Sequence, residues 1–95
     1  MTLNMLRIHK NTILRVAHHY HAENIRVFGS VVREEAGESS DIDLLVSFLP
    51  GASLLDQAGL MSELGDVLGT KVDIISDRAI NHHIRDKILK EARSL

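Results

Sequence analysis

The residues best able to do chemistry are Gly29-Ser30, then ten intervening residues, then Asp41-Ile42-Asp43, with Asp73 further on. Side chains alternate along a strand, so Asp41 and Asp43 share one face while Ile42 and Leu44 take the other. Two neighbouring carboxylates repel each other unless a cation or a basic group neutralises them. Magnesium suits such a pair, because it takes carboxylate oxygens together with substrate phosphates. Two ions roughly 3.5–4 Å apart can serve the attacking and leaving oxygens of a phosphoryl transfer. Asp73 lies in Val72-Asp73-Ile74-Ile75, whose apolar neighbours would bury it at a sheet, and it is the natural third ligand. The three acids converge if its strand lies beside that of Asp41. Singly each has an ordinary alternative: Asp41 can cap a turn, and Asp73 can pair with Lys71 or Arg26. Their combination with Gly29-Ser30 favours a site in which Asp41, Asp43 and Asp73 are catalytic and metal-binding.

Phe28-Gly29-Ser30 directly follows a strand-like run. Glycine there can adopt positive φ and lets the backbone approach a phosphate closely. Ser30 offers a hydroxyl and an N–H to a small anion-binding concavity. No Gly-Lys-Ser/Thr follows, so this is not a Walker A loop. A plain turn is the alternative for the dipeptide by itself. Arg33 can reach a triphosphate or brace Glu35 or Asp41. Ser40 can touch phosphate or cap a turn.

The elements that must position these groups follow from pattern. Residues 3–19 predict a helix with Leu3, Leu6, Ile13, Val16 and Ala17 near one face, a stripe that Lys10 interrupts. Residues 24–29 predict a short strand, and the polar stretch 31–40 a loop or broken helix. Asp41 to Phe48 predicts a second strand, apolar on both faces as a central strand is, ended by Pro50-Gly51. Ser53-Leu54-Leu55-Asp56 resembles a capping box. It opens a helix with Leu54, Ala58, Met61, Leu64 and Leu68 on one face and Gly69 as terminator. Lys71 to Ser76 predicts a third strand. Residues 79–93 predict a last helix with Ile80, Ile84, Ile88 and Ala92 at four-residue spacing. The order α-β-β-α-β-α implies an α/β (α+β) fold: about three strands with helices packed on one side.

Bulk properties narrow the function. Ninety-five residues make a single domain, residues 1–95, with room for a site but little for a separate substrate domain. Phe28, Phe48 and Tyr20 are the only aromatics, too few for stacking single-stranded nucleic acid. The formal net charge is −2 with no basic stripe, so no direct nucleic-acid partner is expected. There is no cysteine, hence no disulfide or thiolate metal site. No apolar run is long enough to span a bilayer and no secretory leader is evident, so the expected place is the cytoplasm, without a membrane partner. His18-His19-Tyr20-His21 falls at a helix end, where histidines suit the dipole. His82-His83 falls at the start of the last helix.

The combined motif resembles the DNA polymerase beta superfamily of nucleotidyltransferases. Val27-Phe28-Gly29-Ser30-Val31-Val32-Arg33 and Ser40-Asp41-Ile42-Asp43-Leu44-Leu45-Val46 resemble in particular its minimal nucleotidyltransferases, the MNT antitoxins of HEPN/MNT toxin–antitoxin systems. The resemblance spans about residues 22–93. It implies a small mixed sheet, magnesium (two ions) and ATP bound by Asp41 and Asp43, and Asp73 completing the metal site. It implies nucleotide contacts from Gly29, Ser30, Arg33 and Ser40. The implied partner is a HEPN-domain ribonuclease toxin, and the implied activity is Mg-dependent protein adenylyltransfer. In this type VII-like antitoxin action, AMP passes from ATP to a toxin tyrosine hydroxyl. Two rivals stand beside it. One is a non-catalytic antitoxin that neutralises by binding, against which the intact acid triad argues. The other is a transferase acting on a small molecule or an RNA end, against which the missing second domain argues. One departure stands out: many members carry glycine after the arginine, where this chain has Glu34.

Overall fold

The computed structural model describes residues 1–35, 37 and 41–95; Ser40, expected to contact nucleotide, lies outside the described residues. The chain runs α1 (Leu3–Ile8), α2 (Lys10–His19), β1 (Ala22–Phe28), a 3-10 turn (Gly29–Val31), β2 (Ile42–Phe48), α3 (Leu54–Leu68), β3 (Val72–Ser76), α4 (His82–Glu91) and β4 (Arg93–Ser94). The sheet order is β3-β2-β1-β4. β2 and β3 are parallel, joined across α3, while β1 is antiparallel to both β2 and β4. This is the expected mixed α/β class with one strand more than the expected three. The extra strand has two residues, too few to show any periodicity.

The predicted helix over 3–19 is two helices. The chain breaks at His9, whose φ of −92° and ψ of 11° leave the helical region. Leu6 and Ile13, one in each helix, are both fully buried. Thr2 caps α1, its Oγ1 accepting from the Met5 N–H at 3.1 Å. α3 keeps its predicted bounds. The Ser53 and Asp56 side chains form a capping box, and Gly69 ends the helix at φ +68°. Its buried stripe is Leu60, Leu64 and Leu68. Leu54, Ala58 and Met61, assigned to that face from spacing, are exposed, because Gln57 takes the position above the sheet and donates to the Ile74 carbonyl at 3.0 Å. Each fully buried leucine stabilises the fold by about 2 kcal/mol.

The main core lies on one sheet face. Val27, Ile42, Leu44, Val46, Val72 and Ile74 meet Leu6, Ile13, Val16, Leu60 and Leu64 there. The expectation of helices on one side holds for α1, α2 and α3. α4 packs on the other face, where Ile88 meets Phe28 and Leu45, with Ile75, Ile80 and Ala92 around them. Leu45 is thus fully buried, as a residue of a doubly covered central strand. α4 is shorter than the predicted 79–93. Asn81 caps it, its side-chain oxygen accepting from the His83 N–H at 2.9 Å. At its other end Ala92 turns extended and leads into β4. Ile84, at four-residue spacing from Ile80, is left exposed.

Glu34 has φ +60°. An L side chain in the left-handed region costs about 1–2 kcal/mol, a strain that glycine would not carry. Glu34→Gly is expected to relieve that strain and to lose about 0.4–1 kcal/mol through a freer unfolded chain. The net gain is about 0–1.6 kcal/mol, readable as a higher denaturation midpoint. A lowered midpoint would show that Glu34 is held by contacts worth more than the strain.

Candidate active site

β2 and β3 start at the same end of the sheet, and their parallel register pairs Asp43 with Asp73. Both alternate away from the main core, onto the face that carries Phe28, Leu45 and Ile75. The third strand lies beside the second, which brings Asp43 and Asp73 together. Asp41 stands just before β2, and its carboxylate meets the Lys71 ammonium just before β3 at 3.6 Å. The backbone closes the same mouth, the Ile42 N–H donating to the Lys71 carbonyl at 3.0 Å. Of the ordinary partners considered from sequence, Lys71 goes to Asp41. Arg26 goes to Asp77 at 3.4 Å, further along the same face.

Gly29 enters from the neighbouring strand. β1 pairs Phe28 with Asp43, so the next residue reaches the sheet end beside that aspartate. Gly29 has φ +79°, and a Cβ placed on it would run into the Asp43 carboxylate oxygen. Glycine is needed here twice over, for its backbone and for its missing side chain. The chain then turns: the Val32 and Arg33 N–H groups both donate to the Gly29 carbonyl at 3.1 Å, and the Glu35 N–H to the Ser30 carbonyl at 2.9 Å. Ser30 is half-buried at the start of this turn.

Charge is concentrated at this corner. Burial, then the charges of Asp73 and Asp41, push the Asp43 carboxyl above its ordinary range, with Arg33 acting in the opposite direction. Of the roles open to Arg33, bracing Glu35 is realised, at 3.0 Å. Its second partner is not Asp41 but Glu91 of α4, at 2.6 Å. Glu91 also accepts the Gly29 N–H at 3.1 Å. Burial alone would raise the Glu91 carboxyl, but the Arg33 and Gly29 hydrogen bonds outweigh it and hold the group below its usual range. Sequence spacing gave no signal for Glu91, which stands 62 residues from its Gly29 partner.

The donor set suits a hard divalent cation: carboxylate oxygens, partly desolvated and mutually repelling, with phosphates to complete the shell. Among the described residues no three ligating side chains are gathered around one point, and the Asp41 carboxylate faces Lys71. The His18 to His21 run offers no such shell. His18 and His19 sit in the last turn of α2, and His21 lies 3.3 Å from the helix-capping Asp56.

Comparison with known proteins agrees with the fold and the motif. The family model for polymerase beta nucleotidyltransferases matches residues 11–95. A Methanocaldococcus jannaschii relative, provisionally named a protein adenylyltransferase, is 41% identical over 83 residues, covering 87% of this chain and 89% of its own. The protein adenylyltransferase MntA of Thermococcus cleftensis is 42% identical over 67 residues, covering 70% of this chain and 68% of its own. A solved structure provisionally called a minimal nucleotidyltransferase superposes with TM-score 0.87 at 44% identity, over 100% of this chain and 97% of that one. A toxin–antitoxin crystal structure with AMP-PNP shares the fold alone, with TM-score 0.76 at 20% identity, over 90% of this chain and 70% of that one. The chain therefore belongs to the polymerase beta nucleotidyltransferase family, in its minimal form.

Proposed function

We propose that this chain is the antitoxin of a toxin–antitoxin pair and transfers AMP from ATP to a tyrosine hydroxyl of a HEPN-domain toxin. The observation that carries the chemistry is the register that sets Asp43 beside Asp73 with Gly29 packed against Asp43. The acceptor class rests on the relatives, named protein adenylyltransferases, and on fold neighbours described as complexes of a HEPN toxin with an MNT antitoxin.

Asp41, Asp43 and Asp73 would hold magnesium, which when bound lowers the pKa of the acceptor hydroxyl and neutralises the triphosphate. The turn from Gly29 to Arg33, with Ser30 at its head, would seat the phosphates. The acceptor oxygen forms a bond to the α-phosphorus as the bond to the bridging oxygen breaks. Pyrophosphate leaves, and Asp73 would receive the hydroxyl proton. Positioning and charge neutralisation supply most of such a reaction, which a domain this small can provide.

The test is to co-express the chain with the protein encoded beside it, add ATP and magnesium, and weigh both by intact mass spectrometry. Discrete AMP increments on the partner, removed by Tyr→Phe substitution in it, are expected. A tight complex of unmodified mass would favour neutralisation by binding. Absence of any complex would favour a small-molecule or RNA-end acceptor.

A further inference from the structure

Glu91 is nearly buried, with 14% of its side chain exposed, and it is outside every motif of the family pattern given above. It lies one helical turn beyond Ile88, so the two share a face of α4. Ile88 packs on Phe28 and Leu45 and seats the helix on the sheet. The next residue after Phe28 is Gly29, and Glu91 meets it there. One carboxylate oxygen accepts the Gly29 N–H at 3.1 Å and the other accepts the Arg33 guanidinium at 2.6 Å. Both residues belong to the set that the sequence assigns to nucleotide contact. They lie at the beginning and the end of the same turn, and a residue 58 positions after Arg33 ties them together.

Resting on the nucleotidyltransferase reading above, we propose that Glu91 is a positioning residue that clamps the Gly29–Arg33 turn onto α4 and so holds it in the shape that receives a nucleoside triphosphate. Arg33 then acts through the clamp and not by direct contact with phosphate. The clamp has a physical motive. The backbone of Gly29 is conformationally free by residue type, and Arg33 belongs to an exposed turn that regular structure does not fix. A charged, largely desolvated acceptor bridging both restricts them, and hydrogen bonds to charged groups are the stronger kind. The Glu91 charge also adds to the repulsion on Asp43. Its position is therefore a cost to the cation-free site, offset by the pairing with Arg33.

Binding of the non-hydrolysable analogue AMP-PNP with magnesium, measured by calorimetry on the full chain, tests this. Glu91→Ala is expected to weaken binding about tenfold or more, the scale of one lost charge-assisted hydrogen bond. Glu91→Gln keeps an acceptor for the Gly29 N–H and is expected to weaken it by only about threefold. Arg33→Ala in the Glu91→Ala background should add less than about twofold, since both act through one clamp. Hydrogen exchange at the Gly29 amide supplies a readout independent of nucleotide, with Glu91→Ala expected to speed it and Glu91→Gln to speed it less. Asp77→Asn removes an ion pair further along the same face and is the control for a merely structural loss; it should leave AMP-PNP affinity within about twofold. Unchanged affinity or unchanged Gly29 exchange in a folded Glu91→Ala protein overturns the inference, as do additive Arg33 and Glu91 effects. A wild-type chain that ignores AMP-PNP overturns the nucleotidyltransferase reading instead, and Gly29 exchange still decides whether the clamp exists.

Discussion

Asp43→Asn is expected to abolish nucleotide transfer while leaving the metal-free domain at least as stable as wild type at neutral pH. If Asp43 holds the cation as proposed, the substitution removes a group that stabilises the transferring phosphoryl, worth about a hundred- to a thousandfold. The stability result follows from the raised Asp43 pKa. Its ordinary value is 3.8, and burial with Asp73 and Asp41 beside it lifts the folded-state value above that. Between the two values the folded domain holds a proton that the unfolded chain has released. Stability therefore falls as pH rises through that interval, and the cost is fully present at neutral pH. Asparagine has no such cost and is nearly isosteric, so it still fits against Gly29. Thermal unfolding in chelator across pH should show the wild-type curve dropping below the variant as pH climbs past the carboxylate range. Magnesium with ATP should then raise the wild-type midpoint and move that of the variant little. A wild-type chain that gains stability over Asp43→Asn with rising pH would contradict the repulsive cluster. Transfer that survives the substitution would remove Asp43 from the mechanism.

Gly29→Ala has the other large expected effect. The added methyl meets the Asp43 carboxylate, and the backbone must hold φ +79° with a side chain attached. Left-handed strain costs about 1–2 kcal/mol, and forced repacking about 1–3 kcal/mol more. Denaturant titration should therefore show a loss of about 2–5 kcal/mol, with transfer undetectable because Asp43 and the turn are both displaced. Gly51 is the internal control. Its φ is +91°, and a Cβ there would meet nothing within 4 Å. Gly51→Ala should thus show the backbone strain alone and retain transfer. Equal losses at the two glycines would show that the contact between Gly29 and Asp43 carries no weight.

The pieces of this site were legible in the chain because their signals are local. Strand alternation sets Asp41 and Asp43 on one face, the apolar run around Asp73 marks a strand, and Gly29-Ser30 follows a β-rich segment. Capping at Ser53 and Asp56 and termination at Gly69 are likewise contained in a few residues, so α3 has its predicted bounds. Periodicity is blind where a phase shift or a very short element intervenes. His9 splits one expected helix into two, and Arg93–Ser94 makes a strand too brief to register. Spacing also misassigned the buried face of α3, because a polar residue, Gln57, earns its place over the sheet by a backbone hydrogen bond.

The opening constellation was thus set by residue type and spacing, and tertiary structure decided how it is assembled. Parallel pairing of β2 with β3 set Asp43 beside Asp73, thirty residues away in the chain, and no local pattern encodes which strand lies next to which. The same pairing put Lys71 on Asp41, while α4, lying on the face opposite the other helices, brought Glu91 to Gly29 and Arg33. Local propensity acts over a few residues, whereas these contacts join positions 30 to 62 residues apart. Burial of Ile88 against Phe28 and Leu45 seats α4 on the sheet, because hydrophobic packing fixes where a helix sits and the charged side chains beside it follow.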